Sequence, residues 1–117
     1  MFTSEVYFTG QYGDIKSAMN VGSNCIDKNN ASNEKQLERI LALNQLLNIS
    51  EYYNMKVKIR CNLYLISYNT ITKEYEILSD DTNNIFGLTV YFCNKQDAQA
   101  VIDNPNFKKI LDTIYKN

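Results

Sequence analysis

Hydrophobic and polar positions change period several times along the chain, and each change marks an element. Glu5-Val6-Tyr7-Phe8-Thr9 is rich in β-branched and aromatic residues, which suit a pleated surface, and predicts a strand. The turn-forming run Gly10-Gln11-Tyr12-Gly13-Asp14 and a second extended segment, Ile15 to Met19, complete a hairpin. Gly10 and Gly13 are expected to hold turn dihedrals that other residues avoid. Asn20 to Ala31 is polar and reads as a loop. A helical period then takes over: Leu37, Ile40, Leu41, Leu43, Leu46, Leu47 and Ile49 recur at helical spacings. Ser32 or Asn33 caps this helix, because a short polar side chain there accepts a first-turn N–H. Glu34 suits the positive helix end, and the helix should close near Tyr53-Asn54. Its stripe is wide enough to be covered on two sides, by its own sheet and by a second subunit.

Met55 to Arg60, MKVKIR, alternates apolar with basic residues and serves as a connector or short strand. Asn62 to Tyr68, NLYLISY, predicts a central strand, followed by a turn over Asn69 to Lys73. Glu74 to Leu78 alternates charge with bulk, as a strand exposed on one face does. Ser79 to Asn84 reads as a loop and Ile85 to Cys93 as a further strand. Asn94 opens the last helix, with Asp97 where a capping box carries Glu or Gln. Ala98, Val101 and Ile102 face inward, Asn104-Pro105-Asn106 breaks or kinks the helix, and Phe107, Ile110, Leu111 and Ile114 continue it. The order ββ-α-βββ-α predicts an α+β fold. Its sheet would be antiparallel, of about five strands, with two helices packed on one face. The length suits a single domain over residues 1–117. A polar cap followed by a helix occurs at Ser32 to Leu37 and again at Asn94 to Ala98, as two uses of one supersecondary unit.

Composition narrows the function. The net charge is −1, from 12 basic and 13 acidic residues, so no basic field announces a nucleic-acid partner, and none is expected as a direct partner. The three cysteines, Cys25, Cys61 and Cys93, form no CxxC pair, which argues against a disulfide framework or a zinc site. The chain has no His, which removes the commonest general base and transition-metal ligand. No apolar stretch approaches a membrane span and no leader pattern opens the chain, so a cytoplasmic protein without a membrane partner is expected. The 16 Asn and nine Tyr, with abundant Lys and Ile, use AT-rich codons and point to an AT-rich genome.

Candidate chemistry is sparse. Asp80-Asp81 with Asn83 and Asn84 lacks the spacing and the Gly of a calcium loop and reads as a solvated turn, so no metal is expected. Cys93 precedes a helix start, where the dipole favours a thiolate, but nothing in the sequence completes a triad, and a small packed residue is the simpler role. Phosphate-loop patterns are absent. No catalytic residue and no cofactor is therefore predicted, and the protein is not expected to be an enzyme. What remains is an aromatic–cationic set. Lys56, Lys58 and Arg60 alternate beside Tyr52, Tyr53, Tyr64 and Tyr68. Such residues anchor protein interfaces, or stack and hold a nucleotide or a single strand, or simply cover a sheet face with lysine stems.

The strand V-Y-F, the turn Y-G-D-I, the helix closing L-L-N-I-S-E-Y-Y-N and the segment G-L-T-V-Y-F-C-N-K-Q-D-A-Q-A-V-I together resemble a diffuse set of small phage and prophage accessory proteins. That set carries an aromatic start, a helix ending on Y-N and a closing Y-F-x-S/T-x-E-x-A module. Here Cys93-Asn94 and Asp97 stand where the module has Ser or Thr and Glu. The set shares no established activity, so the resemblance supplies no catalytic residues. It implies a protein that binds and inhibits a host factor by protein–protein contact in the host cytoplasm. An anti-defence, anti-CRISPR-type inhibitor of a defence nuclease complex is the leading form. The alternative is a homo-oligomeric sponge that sequesters a small nucleotide immune signal, with Lys58, Arg60 and tyrosines in its pocket.

Overall fold

The computed structural model describes residues 5–19, 30–56, 62–81 and 90–116. Cys25, Cys61, Lys58, Arg60 and residues 85–89 of the expected strand lie outside the described residues. The chain divides into two compact units, Met1–Leu41 and Ala42–Asn117.

The first unit opens with a hairpin of β1 (Glu5–Thr9) and β2 (Ile15–Met19). The strands are antiparallel, with Val6 opposite Ala18, Tyr7 opposite Ser17 and Phe8 opposite Lys16. Large residues thus face small or long-stemmed ones, and Val6 is fully buried. Gly13 has φ of +81°, the left-handed turn conformation expected of it. Gly10 does not take the positive φ expected of it, and a Cβ there would meet only the Lys16 stem at 2.6 Å and the Asp14 carboxylate at 2.7 Å, side-chain ends that can move aside. Beyond the hairpin, Tyr7 and Ala31 exchange backbone hydrogen bonds of 2.7 and 2.9 Å in an antiparallel bridge. Helix α1 (Glu34–Asn54) then begins. Asn33 Oδ1 accepts the Gln36 N–H at 2.7 Å, while Gln36 Oε1 accepts from the Ser32 N–H at 2.7 Å and its hydroxyl at 2.9 Å. Both expected capping residues are used, and the side chain of Gln36 returns the favour as in a capping box.

The second unit repeats that plan. Strands β3 (Asn62–Asn69) and β4 (Glu74–Asp81) form an antiparallel hairpin. Tyr64 and Phe92 then exchange two backbone hydrogen bonds of 2.8 Å in an antiparallel bridge. Helix α2 (Lys95–Asp103) follows, with Asn94 Oδ1 accepting the Gln96 N–H at 3.0 Å. In each unit the third residue of the first strand bridges to a residue three positions before a helix, at Tyr7–Ala31 and at Tyr64–Phe92. The sequence echo at the two caps is therefore the end of a longer shared unit: hairpin, bridge, Asn cap, helix.

The class is α+β as expected, but a single five-stranded sheet is not formed. Among the described residues there are two sheets of two strands each, β1-β2 and β3-β4. The third edge of each is a lone bridge, because the chain turns into a helix cap immediately after one paired residue. Val90 to Cys93 accordingly does not continue as a strand. Ser79 to Asp81 of the expected loop belong instead to β4, with Asp80 opposite Leu63 and Asp81 opposite Asn62, and residues 82–84 lie outside the described residues. Among the described residues three α-helices form rather than two. Pro105 lacks an N–H and Asn104 is extended (φ −81°, ψ 115°), so the last helix breaks into α2, a 3-10 turn over Pro105–Phe107, and α3 (Lys108–Tyr115).

The core of the second unit is Leu46, Ile66, Phe92, Ala98, Val101 and Leu111. One face of the hairpin, Tyr64 and Ile66 with Tyr75 and Ile77, packs against it, as the two-residue alternation of strands requires. The opposite face carries Glu74, Glu76 and an exposed Leu78. Ala98 and Val101 are fully buried, and Ile102, Phe107, Ile110 and Ile114 pack partly buried around them. The apolar stripe of α1 is covered less completely: Leu46 is fully buried, whereas Leu43 and Leu47 are exposed.

Segment Tyr91–Cys93 is gripped from two sides. Phe92 bonds to the backbone of Tyr64. On the other side the Asn54 amide imitates a peptide group: its Nδ2 donates to the Tyr91 carbonyl at 3.0 Å and its Oδ1 accepts the Cys93 N–H at 2.9 Å. Asn54→Ala is expected to leave both backbone groups without this partner and to lower stability by roughly 1–3 kcal/mol. Chemical denaturation checks this, as a reduced midpoint with unchanged slope.

Candidate functional site

The chemistry-bearing side chains of the second unit gather where side chains of α3 meet Tyr68 and Tyr75 of the β3–β4 hairpin. Helical spacing of four places Lys108, Asp112 and Lys116 on one face. Asp112 receives three donors. Lys108 Nζ lies 2.6 Å from Oδ2, Lys116 Nζ 3.2 Å from Oδ1, and the Tyr75 hydroxyl donates to Oδ1 at 2.7 Å. Tyr75 reaches this point because β4 holds it opposite Tyr68, with ring centroids 5.1 Å apart. Tyr115 adds an edge-on ring 6.0 Å from Tyr75. The Lys116 ammonium stands 5.3 Å from the Tyr68 ring and 5.6 Å from the Tyr75 ring, a cation over two aromatic faces.

The charges are tuned accordingly. Burial works against ionising Asp112, but hydrogen bonds from Lys108, Tyr75 and Lys116 overcome it and hold the carboxyl at about 2. Burial, followed by the bond to Asp112, keeps the Tyr75 phenol neutral well above the usual tyrosine range. Burial also raises Tyr115.

Two adjoining hollows open on this cluster. One, of 340 Å³, is bounded by Lys73, Tyr75, Ile102, Pro105, Lys108 and Lys116. The other, of 540 Å³, continues past Lys109 and Thr113. Lys108 and Lys116 belong to both. Lys73 arrives there through an unusual turn. Asn69 Oδ1 accepts the N–H groups of Ile71 at 2.9 Å and Thr72 at 3.1 Å, and the Lys73 N–H closes the turn on the Asn69 carbonyl at 2.8 Å. Lys73 thereby takes φ of 60°, a left-handed conformation that costs a residue with a Cβ more than it costs glycine.

The aromatic–cationic set expected from the sequence is divided by the structure. Tyr52 is exposed and its ring carries the Lys56 ammonium at 5.3 Å. Tyr53 sits edge-on to Phe92 at 6.3 Å and packs with Tyr64 against the core, so both are structural tyrosines in large part. Tyr68 alone joins the cleft cluster. Lys58 and Arg60 lie outside the described residues. Sequence reasoning passed over Lys73, Tyr75, Lys108, Asp112, Tyr115 and Lys116. The helical spacing of Lys108, Asp112 and Lys116 was a readable signal, but nothing local ties it to Tyr75, which lies 37 residues from Asp112. Cys93 is half-buried, and its backbone N–H is the part engaged, on Asn54. Among the described residues no group of three or more His, Cys, Asp or Glu is placed to hold a metal ion. No helix of the described residues is long and apolar enough to cross a membrane.

The pKa of Asp112 in the folded chain is depressed below its ordinary 3.8, so its contribution to stability is complete above about pH 4 and disappears as pH falls towards 2. Asp112→Asn is expected to remove that acid-dependent step and to cost roughly 1 kcal/mol at neutral pH after solvent screening. Denaturation curves collected across pH 2–7 for both proteins check this. Comparison with protein-family models, with curated proteins and with solved structures finds no match to this chain, so the chemistry of the cleft rests on its own geometry.

Proposed function

We propose that the protein acts by binding rather than by catalysis, as a phage-type accessory inhibitor whose cleft face engages an acidic surface of a host protein. The observation that carries this reading is the local composition of the two hollows. Four lysines (Lys73, Lys108, Lys109 and Lys116) stand against two aspartates, Asp103 and Asp112, in a chain whose net charge is only −1. One of them, Lys116, stands over the rings of Tyr68 and Tyr75, and Tyr115 packs edge-on to Tyr75. Tyrosine offers large, rigid contact area with a polar tip, and concentrated positive charge steers an acidic partner and selects against basic ones. Nothing in this cluster resembles a nucleophile with its base: Asp112 is already held by three donors, and Asp103 accepts the Gln99 amide. A host defence nuclease complex is the target that the resemblance to phage accessory proteins implies, with the host cytoplasm as the place of action.

Affinity capture from a defence-proficient host is expected to recover one partner at low salt and to lose most of it at high salt, where exposed charges are screened. Lys116→Gln should weaken capture roughly ten-fold, whereas Lys56→Gln, on Tyr52, should leave it unchanged. Capture that is indifferent to both salt and Lys116 overturns this reading.

A further inference from the structure

We infer that the 340 Å³ hollow is a binding site for a phosphate ester carried on a flat ring, of the nucleoside monophosphate class. This rests on the reading of the face as an anion-binding surface and adds the chemistry of its ligand. The hollow has two parts of different character. Its apolar lining is Ile102, Pro105 and the Tyr75 ring, backed by the buried Leu111. Its rim is cationic, with Lys73 from the hairpin turn and Lys108 and Lys116 from the two ends of α3. An apolar lining with a few converging charged groups is how small-ligand pockets are built, and the volume lies near the lower end of their range of about 300–1,000 Å³. A carboxylate-rich peptide would satisfy the lysines and leave the apolar lining wet. A bare phosphate would do the same. A base or similar ring covers the apolar lining while its phosphate meets the ammonium groups. Asp103, one of whose oxygens takes the Gln99 amide at 3.0 Å, borders the same hollow as an acceptor for a sugar hydroxyl.

Two features shape the site. Asp112 is a resident anion that occupies Lys108 and Lys116 and competes with a ligand's phosphate for them. A phosphate carries more charge and more acceptor oxygens than one carboxylate, and so draws both ammonium groups away from it. Lys73 occupies a left-handed position where glycine would be less strained, and it places a third cation on the rim.

Calorimetric titration of the full chain with adenosine 5′-monophosphate, adenosine, inorganic phosphate and an oligoglutamate peptide tests the inference. The monophosphate is expected to bind one per chain, roughly ten-fold or more tighter than each of the other three probes. Lys73→Gly should weaken it about five-fold while leaving the unfolding midpoint equal or higher, because glycine accepts a φ of 60°. Asp112→Asn should tighten it several-fold. Oligoglutamate or free phosphate binding as tightly as the monophosphate overturns the ring-phosphate assignment and leaves the anion-binding reading standing. Unchanged affinity in Lys73→Gly, or weaker binding in Asp112→Asn, overturns the assigned roles of the rim and of the resident anion. No binding by any probe removes both the assignment and the reading beneath it.

Discussion

The cleft depends on one backbone constraint: the last helix cannot pass through Asn104-Pro105. Proline supplies no N–H to the helical ladder and pushes the residue before it into an extended conformation. Asn104 adopts that conformation, and its side chain accepts the Asn106 N–H at 2.9 Å to start a new turn. The chain therefore changes direction between α2 and α3. An unbroken helix would keep Lys108, Asp112 and Lys116 on the continuation of the α2 axis, away from the position in which Asp112 meets Tyr75. After the break, Leu111 is buried in the core and Asp112, its neighbour, meets the Tyr75 hydroxyl. Buried apolar area holds α3 in place, and the polar cluster beside it inherits its geometry.

Within the second unit, a short piece of chain does the work of a strand. Tyr91, Phe92 and Cys93 are bonded on one side by the Tyr64 backbone and on the other by the Asn54 side-chain amide. The alternation of backbone groups along an extended chain makes this two-sided grip available to three residues. It sets the fully buried Phe92 beneath the hairpin and fixes where Asn94 can cap α2. The same plan of hairpin, bridge and Asn cap occurs in the first unit, and the helix that it starts, Glu34–Asn54, is unbroken for 21 residues and belongs to the second unit from Ala42. Only the second copy carries the proline, and there the helix after the break brings Asp112 and Lys116 to Tyr75 of its own hairpin.

Local signals made most elements readable. The hairpins announced themselves by β-branched and aromatic runs around turn residues, and α1 by its period and by Ser32 and Asn33. The inward residues of α2 and α3, from Ala98 to Ile114, followed from spacing of three and four. The exposed face of β4 followed from its alternation of glutamates with bulky residues. Pairing was less legible. Ile85 to Cys93 has the composition of a strand, yet Phe92 pairs singly, because composition does not say that a cap begins two residues later. The site was hardest. Tyr68 could be singled out as aromatic, and Lys116 as basic, but their meeting is a property of neither segment.

By itself, then, the sequence determined the elements, the helix caps, the break at Pro105 and the small net charge, all of which follow from interactions within a few residues. The tertiary structure decided which side chains became neighbours. It separated Tyr53 and Tyr64, which support the core, from Tyr68, which joins Tyr75 and Lys116 beside the cleft. The physical reason is range. Caps, turns and periodicity act along the chain, whereas the Tyr75–Asp112 bond forms across 37 residues and exists only because apolar burial brings α3 onto the hairpin.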